Sequence, residues 1–116
     1  MRAEAEYRLA IAGYRSPKDD ADAADARNNL AGTIVARGGE AQEAVALARA
    51  AIAVRGRRPS YLDTLARACD AVRDGVCARD AYQGLLDAAR SAPGTIPEKF
   101  LAHARQRLAD LPAAVR

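Results

Sequence analysis

The chain has no tryptophan, one phenylalanine, one histidine, one methionine and two cysteines in 116 residues. Aromatics fill only 4% of positions, so small side chains must fill most of the interior. The same scarcity counts against a surface that stacks nucleic-acid bases on aromatic rings. Threonine, valine and isoleucine are too sparse for a β-sandwich or barrel. The longest stretch without a charged residue runs from Asn28 to Ala36. A membrane-spanning helix needs about 20 apolar residues, so no membrane insertion is expected. No charged-then-apolar leader opens the chain, and a cytoplasmic location is expected. Gly-x-Ser-x-Gly, phosphate-loop and HExxH motifs are all missing, and His103 is the only imidazole. Neither an enzyme nor a cofactor is expected.

Alanine is what the chain has in abundance, at 30 positions. It is the best helix former, and its small side chain lets helices approach closely. Arginine supplies 16 of the 18 basic residues, and the net charge is +3. Acids are interleaved with the arginines along most of the sequence, whereas a nucleic-acid binder gathers its basic residues on one face. Only Arg55, Arg57 and Arg58 cluster, at the end of an expected helix where the dipole favours cations. Asp19, Asp20, Asp22 and Asp25 lack the glycine and closing glutamate of a calcium loop, so they read as a solvated turn leading into a helix. Cys69 and Cys77 show no CxxC spacing and no ligand set for zinc. Eight residues apart across a turn, they can be bridged if their Cα atoms come within about 7 Å. Two reduced thiols packed between helices are the expectation, because packing explains them without a bond.

Turn-forming residues divide the chain at Ser16-Pro17 through Asp22, at Gly38-Gly39, at Arg55 to Pro59, at Gly75 and at Pro93 to Pro97. The segments between them are long enough for three or four helical turns and show no sustained alternation. Helices are expected over about 2–14, 24–37, 41–54, 60–73, 76–91 and 97–110. Ala44, Leu47, Ala48, Ala51 and Ile52 form one stripe at helical spacing. Ser60 is expected to cap the fourth helix, and Pro97 to open the last.

Self-comparison reveals a repeat. Asn29-Leu30-Ala31, Thr64-Leu65-Ala66 and Phe100-Leu101-Ala102 place Leu-Ala early in alternate helices, about 35 residues apart. The intervening helices carry Ala3 and Ala10, Ala44 and Ala51, and Ala81 and Ala88. Two helices per unit at this period predict stacked helical hairpins. The pattern resembles the tetratricopeptide repeat over nearly the whole chain. Leu62, Leu65-Ala66, Cys69, Ala81, Leu85, Ala88 and Pro93 form the best copy. Arg27, Leu30-Ala31, Ile34, Ala44, Ala48 and Ala51 form the one before it.

The resemblance implies an all-α, right-handed stack of antiparallel hairpins, about two and a half repeats in one domain over 1–116. Residues 1–14 would be a lone second helix or cap, 24–58 and 59–93 repeats, and 97–111 a capping helix. A chain opening in mid-repeat is expected to be either a piece of a longer protein or one with a single-helix cap. The resemblance further implies a concave groove lined by the first helix of each hairpin, binding an extended peptide or a partner helix without catalysis. Its lining would be Asn28, Gly32 and Val35, then Asp63, Arg67 and Asp70, then Lys99, His103 and Gln106. Asn29 matches a position that bonds a ligand backbone. The alternative is a structural spacer or self-association segment of a larger protein. Asp63, Arg67 and Asp70 share a helix face by spacing, and an Asp63–Arg67 ion pair is expected there.

Overall fold

The computed structural model describes Arg8 and residues 17–112. The helix expected over 2–14 lies outside these residues apart from Arg8, whose guanidinium donates to both oxygens of Glu43 at 2.7 and 2.9 Å. Five α-helices follow: α1 (Pro17–Ala36), α2 (Ala41–Arg55), α3 (Pro59–Ala71), α4 (Gly75–Ser91) and α5 (Glu98–Asp110). No strand occurs among the described residues. The protein is all-α, as composition requires.

Several helix starts differ from expectation, the last of them by one residue, since Pro97 is the cap of α5 and Glu98 its first residue. The segment 17–22, expected as a polar turn, is the opening of α1. Proline begins a helix as readily as it makes a turn, because its missing N–H is surplus there, and acidic residues in the first turns favour the dipole. Ala23, Ala24 and Ala26 behind it are buried, which gives this early turn a reason to be helical. Likewise α3 starts at Pro59, with Arg58 at the cap position, so Ser60 lies inside the first turn rather than capping it.

The helix ends show how the chain reverses. After α1, Gly39 N–H reaches Ile34 O at 2.8 Å and Gly38 N–H reaches Val35 O at 3.1 Å, with Gly38 at φ +73°. This is the left-handed closure for which glycine is best suited. The same closure ends α3: Asp74 N–H reaches Cys69 O at 2.9 Å and Arg73 N–H reaches Asp70 O at 3.0 Å. Here the left-handed residue is Arg73, at φ +63°. Gly75, expected as the turn, is the first residue of α4, and Asp74 caps that helix by accepting from Cys77 N–H.

Consecutive helices pack on one another, and α1 also packs on α3. The core joins Leu30, Ala31 and Ile34 of α1 to Ala44 and Ala48 of α2, then to Leu65, Ala66 and Cys69 of α3 and Ala78, Ala81, Tyr82 and Leu85 of α4. Alanine at the crossings lets backbones approach where a longer side chain would wedge them apart. At Gly84 an added Cβ would lie 2.6 Å from the Arg57 guanidinium and 3.3 Å from Leu62 Cδ1, so the glycine makes room for these two side chains. Among the described residues, two tyrosines are the largest fully buried side chains. Tyr61 forms a small cluster with Ala24 and Ala51, and Tyr82 sits in the main core.

The cysteines overturn their expectation. Cys69 of α3 and Cys77 of α4 are disulfide-bonded, with Cα atoms 5.8 Å apart. The Arg73 turn brings the end of one helix against the start of the next, within the distance that a disulfide needs. Disulfides are rare in reducing compartments, so the bond withdraws the support that two reduced thiols would have lent to a cytoplasmic location.

Candidate functional site

Two cavities lie side by side along α1, α3 and α5. One, of about 310 Å³, is bounded by Asn28 of α1 and by Pro59, Ser60, Asp63 and Thr64 of α3. Leu85 of α4 also lines it, and Thr95, Ile96, Pro97 and Phe100 complete it from the connection and start of α5. Its neighbour, of about 260 Å³, is lined by Gly32, Val35 and Ala36 together with Asp63, Thr64, Arg67 and Phe100. Asp63, Thr64 and Phe100 are common to both, so the two form one groove. A larger open hollow of about 500 Å³ lies against Leu86, Pro93 and Leu101, but none of its lining residues has a buried polar atom without a partner.

Helical periodicity explains the lining. Asn28 and Asp63 each stand two residues before the leucine of their Leu-Ala pair, and Gly32 and Arg67 two after. Leu30 and Leu65 are buried, and residues two before and two after each point to the other side of the helix, close to one another, so Asn28 with Gly32 and Asp63 with Arg67 share a face turned away from the leucine. Gly32 stands in open space: a Cβ there would meet nothing within 4 Å. The glycine leaves the groove floor low, against the helix preference for almost any other residue.

The polar geometry of the groove is uneven. Asp63 Oδ2 accepts from Arg67 Nε at 3.1 Å, the expected ion pair one turn apart. Asp63 Oδ1 is buried with no hydrogen-bond partner, and so is Asn28 Oδ1. An acceptor buried unpaired costs about 1–3 kcal/mol. Two in one lining is an unusual concentration, because buried polar atoms are normally satisfied.

The remaining expected residues fall in two places. Asn29, Lys99 and Gln106 are exposed and line neither cavity; Lys99 Nζ lies 5.1 Å from the Phe100 ring centroid. Asp70 and His103 instead belong to a polar cluster that fastens α5. Arg107 donates to both Asp70 oxygens, from Nε at 2.6 Å and Nη2 at 2.9 Å. The Asp70 bond, then its charge, pushes the Arg107 guanidinium further above its usual range. Tyr82 Oη donates to Asp70 at 3.4 Å and lies 3.3 Å from His103 Nε2, with the two rings edge to face. Burial, then the negative charge of Asp70, pushes the Tyr82 hydroxyl up to about 12.

A second cluster uses one of the acids expected in a solvated turn. Asp25 of α1 accepts from Arg55 at 2.8 Å and from the Tyr61 hydroxyl, tying three helices together. Burial, then the Asp25 hydrogen bond, raises the Tyr61 hydroxyl above its ordinary value. Among the described residues no three His, Cys, Asp or Glu side chains converge as a metal site. None of the helices there is long and apolar enough to cross a membrane.

Sequence reasoning missed the connection 95–97 as a groove wall, along with Pro59, Ser60, Thr64 and Phe100. Phe100 had a signal, since it directly precedes the third Leu-Ala pair. The connection had none, because where a loop folds back depends on its neighbours. In comparisons with protein-family models, curated proteins and solved structures, the chain matches none.

Proposed function

We propose that this chain is a non-catalytic protein–protein interaction module, a tetratricopeptide-like stack of hairpins that holds an extended peptide or partner helix in the groove along α1, α3 and α5. The observation that supports it is the lining itself. Asn28, Gly32, Val35, Asp63 and Arg67, selected by their register to the repeated leucine, come together around two contiguous cavities. The pairing of α1 with α2 and of α3 with α4, with α1 also on α3, suits two stacked hairpins closed by α5. A groove of this kind offers apolar pockets for side chains and polar groups for main chain. Arg67 has a planar fork that can hold a ligand carbonyl beside its Asp63 bond.

Selection of a random 12-residue peptide library on the immobilised chain tests the reading. Peptides should enrich on the wild type and fail to bind Gly32→Trp, whose side chain fills the groove at a position open to a Cβ. Arg67→Glu, which also removes the Asp63 ion pair, should lower the melting temperature slightly and weaken binding by about tenfold. Peptides that bind wild type and both variants equally would move the site elsewhere.

A further inference from the structure

We infer that the larger cavity of the groove is a subsite for a cationic side chain, the lysine or arginine of an extended peptide, with Asn28 and Asp63 as its acceptors; this deepens the proposed function and rests on it. Asn28 is only 8% exposed, lines this cavity and carries a side-chain oxygen with no partner. Asp63 lines the same cavity and carries another. Its carboxylate cannot exchange roles by flipping as an amide can, so the acceptor character of the floor does not depend on how Asn28 is turned.

Of the other polar side chains of the cavity, Ser60 is exposed and two hydroxyls are already committed. The Thr64 hydroxyl donates to Ser60 O at 3.0 Å, and the Thr95 hydroxyl donates to Ala92 O at 2.6 Å. Both protons are committed to the main chain, which leaves only lone pairs. The neighbouring cation, Arg67, bonds Asp63 through the other oxygen. An entering carboxylate would bring a like charge beside Asp63. An entering ammonium or guanidinium brings several N–H donors at once, and charge-assisted bonds to a carboxylate are about twice as strong as neutral ones.

The walls suit the rest of such a side chain. Leu85, Ile96, Pro97 and Phe100 offer apolar surface to a methylene stem. About 310 Å³ is ample for it, since a water molecule takes about 30 Å³ of liquid volume. A backbone N–H of the same peptide supplies one donor and no charge, so it leaves one of the two oxygens unmet.

The 12-residue library selection on the full chain reads this directly. Enriched peptides should share a lysine or arginine at one fixed position. A synthetic peptide from that set should lose about tenfold or more in affinity when that residue is replaced by norleucine, measured on the wild-type chain. Asp63→Asn should reduce the same preference by a similar factor, while Arg67→Gln, which also breaks the Asp63–Arg67 pair, should retain it. Enriched peptides that bind wild type but not Gly32→Trp, yet show no basic residue at a fixed position, overturn the subsite and leave the groove standing. Equal affinity of the norleucine peptide does the same, and needs no variant to fold. No enrichment over a blank surface takes down both.

Discussion

Raising the pH should loosen α5 and α4 from each other. The Tyr82 hydroxyl is buried between them, bonded to Asp70 and beside His103, and is pushed up to about 12. In the unfolded chain a tyrosine titrates near 10. The unfolded state therefore releases this proton first, and the stability linked to Tyr82 is complete below about pH 10 and is lost as pH rises through about 12. A displacement of that size corresponds to roughly 2–3 kcal/mol. Small domains have about 5–15 kcal/mol in all, so the loss should be easy to see. Tyr61, raised by burial and then by its bond to Asp25, acts in the same direction. Urea midpoints between pH 7 and 11.5, for wild type and Tyr82→Phe, provide the assay. At pH 7 the variant should be about 1 kcal/mol weaker, from the lost hydrogen bonds. Above pH 10 its stability should fall less steeply, so the two curves converge. Parallel curves would refute the reasoning and remove Tyr82 as the titrating group.

Other perturbations act on single contacts. Leu65 is 4% exposed in the main core, and Leu65→Ala should lower unfolding free energy by about 2–5 kcal/mol; an unchanged urea midpoint would remove it from that core. The Cys69–Cys77 bond closes a short loop, so reduction should cost about 2–3 kcal/mol by chain entropy. Thiol titration in denaturant should find no free thiols before reduction and two after it, and free thiols in the untreated protein would contradict the bond. Arg73 holds a left-handed backbone that favours glycine, so Arg73→Gly should raise stability by about 0.5–1 kcal/mol in a thermal melt, and a lowered melt would show that its side chain contributes more than its backbone strain removes.

The groove illustrates how far pattern reasoning reaches. Asn28, Gly32, Val35, Asp63 and Arg67 were legible because a helix carries residues of fixed spacing on one face, and each of these belongs to a helix packed on both sides. Asp70 shares the Asp63–Arg67 face by spacing, yet it faces Arg107, which stands 37 residues further on. No spacing within one helix encodes that pairing. Lys99 and His103 lie on the last described helix, and there the repeat pattern transfers least: Lys99 is exposed and His103 lies against Tyr82. Asn28 and Asn29 are adjacent and chemically identical, and only packing decides that the first is buried in the groove and the second exposed.

Alanine content, the absence of strand patterns and the positions of the turn residues determined by themselves that the chain is helical, and roughly where each helix ends, because these are local properties of propensity and backbone sterics. The Leu-Ala period determined which helix faces go inward, because burial follows helical spacing. Tertiary structure decided the rest. It extended α1 back to Pro17 by burying Ala23 and Ala24, made core anchors of Tyr61 and Tyr82, and brought Cys69 within bonding reach of Cys77. It also left two acceptor oxygens unpaired in one cavity. Each of these depends on a contact between residues distant in sequence or on the angle between two helices, and such contacts are settled only when the whole chain packs.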